Sequence, residues 1–212
     1  VREAGGNGSF TFDEDGESFV VTFAGGLTEK VKTDSGEFDT VVSTVQSTYF
    51  DVRGIKELRV NFTSDEFKIP VLIRFRTVKG QFVCKLSGLT VEEVKTVDSA
   101  PSPTPTPTIQ PVATPKPKAT PEPYIDNQPL LRELAFELGE TLEYKVTSAG
   151  QETAKLILQA KERKRIKEID TLVLTATVSS VSSANRPFAL SDSVIARVNP
   201  ETLAPQTSET KF

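Results

Sequence analysis

An acidic cluster near the start of the chain has residue types and a spacing that could bind a metal ion. Asp13-Glu14-Asp15-Gly16-Glu17 places carboxylates around a tight turn, and clustered carboxylates suit a hard cation such as calcium. The cluster lacks the fuller pattern of alternating acidic ligands found in calcium loops. A solvated hairpin tip is therefore the better interpretation, and we expect no bound metal here.

A basic cluster, Lys-Glu-Arg-Lys-Arg, occupies residues 161–165. One interpretation is a solvated strand end whose charges guard it against aggregation. The alternative is an electrostatic contact with an acidic patch on a neighbouring subunit. Under that alternative the candidate subunit contacts are Lys161, Arg163, Arg165, Asp13 and Asp15.

Catalytic signatures are missing from the rest of the sequence. The chain has no histidine and one cysteine, which excludes histidine acid/base chemistry and thiolate metal clusters. Ser208-Glu-Thr-Lys211 fits the spacing of a Ser-x-x-Lys nucleophile, but that serine should open a helix in a large domain and here we expect a β tail. The net charge of -4, with no basic region, argues against nucleic acid as a partner. We therefore predict a non-enzymatic protein without a cofactor.

The elements of the first region are predicted by periodicity. Apolar residues alternate with polar ones on both sides of Asp15-Gly16, which predicts a β-hairpin. Residues 38–49 carry apolar side chains at helical spacing and predict one helix. Alternation at 55–62 and around Lys79-Gly80 predicts three more strands, one of which buries the single cysteine, Cys84. We expect a small α+β domain over residues 1–98.

A Pro/Thr-rich segment follows at residues 99–123 and holds nine of the fourteen prolines. Proline fixes φ and removes backbone donors, so this segment predicts an extended polyproline-type linker between two domains. The linker could lie along a neighbouring subunit. Its candidate contacts are Pro101, Pro103, Pro105, Pro107 and Pro111.

The last region, residues 124–212, alternates apolar and polar residues in four or five short runs. It predicts an antiparallel β-meander domain. The whole chain is thus expected to be mainly β, with two small antiparallel β-rich domains, the first of them α+β with one helix, joined by the extended linker.

Two segments of the last region carry a resemblance to a known family. The opening F-x-x-G-E-x-L-x-Y-x-V run and the later Val-Asn-Pro-Glu-Thr-Leu segment, with Asn199 where an aspartate is usual, resemble a family of exported Gram-negative bacterial proteins of unknown function. The matching residues are Phe136, Gly139, Glu140, Leu142, Tyr144, Val146, Val198, Asn199, Pro200, Glu201, Thr202, Leu203, Pro205 and Glu209. The resemblance implies a curved antiparallel half-barrel like that of lipoprotein carriers. Residues 38–62 are also weakly similar to a domain of bacterial sporulation and germination lipoproteins.

These features lead to an expected function and location. The first amino acids suggest a mature chain whose export signal has been removed, so we expect a secreted or cell-surface protein without a transmembrane segment. The open sheet edges and the linker predict a structural protein that forms a homo-oligomer or homopolymer. Its subunits would join head to tail, as in a filament, by strand addition. The alternative is a cell-envelope binding module for a lipid or lipoprotein.

Overall fold

The chain folds into one large antiparallel sheet. The computed structural model describes residues 7–14, 16–95, 97–98, 124–131, 134, 136–181 and 191–211. Eleven strands lie side by side in their order along the chain, apart from a separate two-stranded ribbon formed by β7 and β8. The strands are β1 (Gly8–Glu14), β2 (Glu17–Thr33), β3 (Gly36–Gln46), β4 (Lys56–Thr63), β5 (Pro70–Thr77), β6 (Gly80–Val91), β7 (Val97–Asp98), β8 (Ile125–Asp126), β9 (Glu140–Ser148), β10 (Gln151–Ile166), β11 (Ile169–Ser180), β12 (Ser191–Val198) and β13 (Pro205–Lys211). The predicted mainly β class is confirmed.

The predicted helix over residues 38–49 is wrong. Residues 36–46 form β3, which pairs with β2 on one side and β4 on the other. This stretch is rich in valine and threonine, whose branched side chains fit a pleated sheet better than a helix. One short helix, α1 (Thr48–Val52), follows it, and Ser47 caps its start by accepting a hydrogen bond from the Tyr49 amide.

Strands from the two predicted domains are direct neighbours in the sheet. β6 pairs with β9 from Phe82–Ser148 to Val91–Glu140, so the sheet is continuous across the expected boundary. The largest core cluster also draws on both regions: Val71, Leu72, Phe82, Cys84 and Leu86 pack with Leu142, Tyr144, Val146 and Ala154. The division into two domains is therefore not confirmed.

The segment predicted to be a linker is flanked by residues that pair with each other. Val97 pairs with Asp126 and Asp98 with Ile125 in the β7–β8 ribbon. Antiparallel partners lie about 5 Å apart, so Asp98 and Ile125, on either side of this segment, are close neighbours in the fold. The predicted linker itself lies outside the described residues.

The long β2–β3 hairpin folds over the middle of the sheet. Val31 of β2 joins the core cluster formed by β5, β6 and β9, and Lys145 of β9 forms an ion pair with Asp34 at the hairpin tip. Cys84 lies inside this core, as the alternation predicted, and burial raises the pKa of its thiol to about 12. The hairpin thereby covers the core of β5, β6 and β9, and the sheet continues across β10–β12.

Candidate functional site

An apolar face runs across strands β9–β12. Alternate residues of each strand point to the same side of the sheet, and the register brings them into rows. Leu142 on β9 lies beside Leu158 on β10, which lies beside Ala176 on β11, which lies beside Val194 on β12. This side is called the inner face below. On β13 the row ends at Thr210, so the apolar character stops at that strand.

A groove lies on this inner face and has a volume of about 290 Å³. It is bounded on one side by the sheet and on the other by Pro70 and Phe136. The described residues that line it are Pro70, Phe136, Glu140, Leu142, Leu158, Gln159, Ala160, Leu174, Thr175, Ala176, Val194 and Ala196. The volume lies at the lower end of the range of small-molecule sites, and most of the lining is aliphatic, as such sites require.

Gly139 fixes the position of the segment that carries Phe136. Its amide donates to the Ala160 carbonyl (2.8 Å), and its own carbonyl accepts from the Glu92 amide (3.2 Å). Its φ is +87°, and a Cβ there would lie 2.1 Å from the Glu92 carbonyl oxygen. Only glycine fits this close approach. The glycine of the predicted motif therefore holds β9, β10 and the end of β6 together beside the groove.

Glu140 is the one charged residue among those described as lining the groove. It belongs to the same alternate set as Leu142 and Tyr144, so its side chain lies on the inner face at the start of β9. One carboxylate oxygen accepts a long hydrogen bond from the Glu137 amide (3.4 Å). The groove thus combines an apolar floor with a single carboxylate at its rim.

Tyr144 connects the motif to the first half of the molecule. It is fully buried, and its hydroxyl donates to the Pro70 carbonyl (2.7 Å), which places Pro70 against the groove. The motif residues Leu142 and Val146 are also buried on this face. Packing of the side chains at 142, 144 and 146 in the core therefore explains the alternation in the F-x-x-G-E-x-L-x-Y-x-V run.

A polar clamp centred on Arg163 lies at the end of the inner face near the β10–β11 turn. Its guanidinium donates to Oδ2 of Asp170 (2.6 Å), to Oδ1 of the same carboxylate (3.2 Å) and to the Pro129 carbonyl (2.7 Å). The Tyr124 hydroxyl donates to the same carboxylate (2.7 Å), and Asn127 bonds the Arg163 backbone in both directions. The clamp holds the segment beginning at Tyr124 against the hairpin.

Electrostatics within the clamp keep its groups in fixed ionisation states. Burial alone would raise the pKa of Asp170, but the hydrogen bonds from Arg163 and Tyr124 outweigh burial and lower it. Burial, together with the hydrogen bond to Asp170, raises the pKa of Tyr124. The carboxylate is thus ionised and the phenol protonated at neutral pH.

The basic residues singled out in the sequence have different environments. The Arg163 side chain is only 11% exposed and is engaged by its own chain. Arg165 pairs with Glu168 (3.4 Å) and lies over the Tyr124 ring, while Lys161 is exposed. Sequence reasoning grouped these residues by charge. Arg163 and Arg165 do lie on the same face of β10, but a bulge after Ala160 sets Lys161 apart from them.

The other predicted site residues that the structure describes lie on the two edge strands of the sheet. Asp13 is on β1 and accepts a hydrogen bond from Ser18 across the predicted hairpin, which the structure confirms. Ser208 and Lys211 lie on strand β13, not at the start of a helix. The residues Asp15, Pro101, Pro103, Pro105, Pro107 and Pro111 lie outside the described residues.

The second resemblance segment forms the turn between β12 and β13. The Asn199 side-chain oxygen accepts from the amides of Glu201 and Thr202 (both 2.9 Å), a capping role that an aspartate fills equally well. The part of the chain that the structure describes contains no helix capable of spanning a bilayer. Comparison with protein-family models, curated sequences and solved structures gives no match to this chain.

Proposed function

We propose that this protein is a non-enzymatic binding module that holds the aliphatic chain of a lipid or lipoprotein in the groove of β9–β12. The observation that carries the proposal is the uninterrupted aliphatic row from Leu142 to Val194, left as the wall of an open groove. An exported location, predicted from the sequence, is part of this proposal. In such a location the groove would meet envelope lipids.

The chemistry of the lining favours an aliphatic chain over a peptide. A buried peptide needs partners for its amides and carbonyls, and each one left without a partner costs about 1–3 kcal/mol. The groove is lined mainly by leucine, valine and alanine side chains, which offer none. A methylene chain needs no partners and gains about 0.8 kcal/mol for each buried CH₂.

A substitution that fills the groove tests this function. Ala176→Phe places a ring in the middle of the row, whereas Thr177→Phe places the same ring on the exposed opposite side of the same strand. Binding of dodecanol is measured by its displacement of a fluorescent apolar probe. We expect dodecanol to bind both the wild type and Thr177→Phe. Ala176→Phe should bind about tenfold more weakly or worse, because fewer methylenes are buried.

Two results would contradict the proposal. One is a wild type that binds neither probe nor dodecanol. The other is an Ala176→Phe variant that binds as well as Thr177→Phe while keeping the wild-type circular dichroism spectrum, since the ring would then fill a groove that the ligand does not use.

A second candidate function, self-assembly by strand addition, is favoured by the two edges of the sheet. In the described part of the chain β1 and β13 are the outermost strands, each with a neighbour on one side only. β13 begins with proline and carries Glu209 and Lys211, which guard an edge. On β1 the stretch Gly8–Phe12 is uncharged and Phe10 is 48% exposed, so β1 is the less protected edge.

Adding a charge to this edge tests the assembly. We expect Phe10→Lys to abolish concentration-dependent self-association, because a lysine on an edge strand opposes pairing with another chain. Val20→Lys adds the same charge at an exposed site on the paired strand β2 and should leave association intact. The measurement is sedimentation velocity over a hundredfold range of concentration. A wild type that stays monomeric throughout would contradict this function.

A further inference from the structure

The groove is longer across the strands than along them. Its described lining comes from four neighbouring strands, β9–β12, and on each of them it covers a stretch of three residues or fewer. Strands lie about 4.8 Å apart, so four of them span about 14 Å, whereas three residues of one strand span only about 7 Å. An extended chain in the groove therefore fits best when it crosses the strands.

Named residues mark both ends of the apolar row. At the β9 end Pro70 lines the groove, and its carbonyl accepts the hydrogen bond from the Tyr144 hydroxyl (2.7 Å) that holds it there. At the other end Val194 of β12 lies beside Thr210 of β13, which is polar and exposed. A chain that continues past Val194 therefore leaves the apolar row and reaches a polar surface.

The length and the volume of the groove give similar capacities. A methylene chain advances about 1.3 Å per carbon, because C–C bonds of about 1.5 Å alternate in direction, so a length of about 14 Å holds about eleven carbons. A methylene occupies roughly the 30 Å³ that a water molecule takes in the liquid, so the groove volume of about 290 Å³ holds about ten.

From these dimensions we infer that the groove binds an alkyl chain of medium length, about ten to twelve carbons, lying across β9–β12. This inference rests on the proposed function, because it concerns the same groove, and it adds the length and the direction of the bound chain. Carbons beyond this number lie over β13, where they bury little apolar surface and add little affinity.

A series of n-alcohols measures the length of the bound chain. Octanol, decanol, dodecanol and tetradecanol are titrated below their solubility limits by displacement of a fluorescent apolar probe. For the wild type we expect the affinity to rise about fourfold for each carbon added between octanol and decanol, as for a buried methylene. From dodecanol to tetradecanol the affinity should rise by less than about twofold in total, because the added carbons gain no apolar contact.

Thr210→Leu extends the apolar row by one strand, and Thr207→Leu is its matched control. Thr207 lies on the same strand but opposite Arg197, on the other face, so the same side chain is added away from the row. Both positions are exposed, so both variants should keep the fold. We expect Thr210→Leu to bind tetradecanol about fivefold more tightly than the wild type and decanol equally well. Thr207→Leu should leave both affinities unchanged.

Three results would overturn the inference. An affinity that rises by the same factor from octanol to tetradecanol in the wild type would show that the groove does not limit the chain to this length. A Thr210→Leu variant that binds tetradecanol no better than the wild type or Thr207→Leu would show that the chain does not cross the strands toward β13. In these two cases the groove remains a binding site. If none of the alcohols binds the wild type, the proposed function and this inference both fail.

Discussion

Gly139→Ala is expected to destabilise the protein by about 3 kcal/mol. The new Cβ would lie 2.1 Å from the Glu92 carbonyl oxygen and 2.9 Å from Val94, and backbone atoms cannot move aside as a flexible side chain can. The positive φ of Gly139 adds about 1–2 kcal/mol of strain for any residue with a Cβ. Chemical denaturation of the purified protein measures the loss.

Gly150→Ala is the control for this prediction. Gly150 also has a positive φ (+77°), but a Cβ there meets nothing within 4 Å. Gly150→Ala should therefore lose only the conformational part, about 1–2 kcal/mol. Equal losses in the two variants would mean that the close approach at Gly139 does not hold the strands together. Because Gly139 fixes the segment that carries Phe136 beside the groove, Gly139→Ala should also weaken binding of dodecanol.

Arg163→Met is expected to cost about 3 kcal/mol at pH 7. The substitution keeps an apolar stem of similar length but removes the cation that pairs with Asp170. The Asp170 carboxylate is then partly buried without a cation, and an unpaired charge of this kind is strongly destabilising. Arg165→Met removes a basic residue two positions along the same face. Its side chain is 47% exposed, so the loss there should be within about 0.5 kcal/mol.

The cost of Arg163→Met should depend on pH in a defined direction. The pKa of Asp170 is lowered in the folded wild type, so the clamp contributes its full stability above the unfolded value of about 4 and loses it as the pH falls through the folded value. Without Arg163 this contribution is gone, and protonation of Asp170 relieves the unpaired charge. The difference in unfolding free energy between wild type and Arg163→Met should therefore shrink between about pH 5 and pH 3. A difference that stays constant over this range would show that Asp170 is not the partner responsible.

Local pattern was enough for the parts of this protein that depend on near neighbours. The alternation of Phe10, Phe12, Phe19 and Val21 around Asp15-Gly16 predicted the first hairpin, and the register Phe12–Phe19 confirms it. The buried position of Cys84 followed in the same way. In each case the two-residue period and a turn between adjacent strands carry the information.

Other features depended on contacts between residues distant in the sequence. Residues 38–46 have apolar spacing that suits a helix. They form part of strand β3 because they pair with β2 on one side and with β4 on the other. Asn61 lies in a glycosylation sequon, yet it is fully buried and its amide donates to Glu29 (2.8 Å) and Thr40 (2.9 Å) across the folded hairpin.

In the groove, too, some features follow from the local sequence pattern and others from contacts between distant residues. Its aliphatic residues could be read from the alternation of β9–β12, and the F-x-x-G-E-x-L motif already contained Phe136, Gly139 and Glu140. Tertiary structure decided that Phe136 and Glu140 border one groove and that Gly139 contacts Glu92. It also decided that Arg163 binds the chain's own segment at residues 124–129. The pairing of β6 with β9 and of β7 with β8 was decided there too, because hydrogen bonds between strand backbones leave no mark on the side-chain sequence that separates one partner from another.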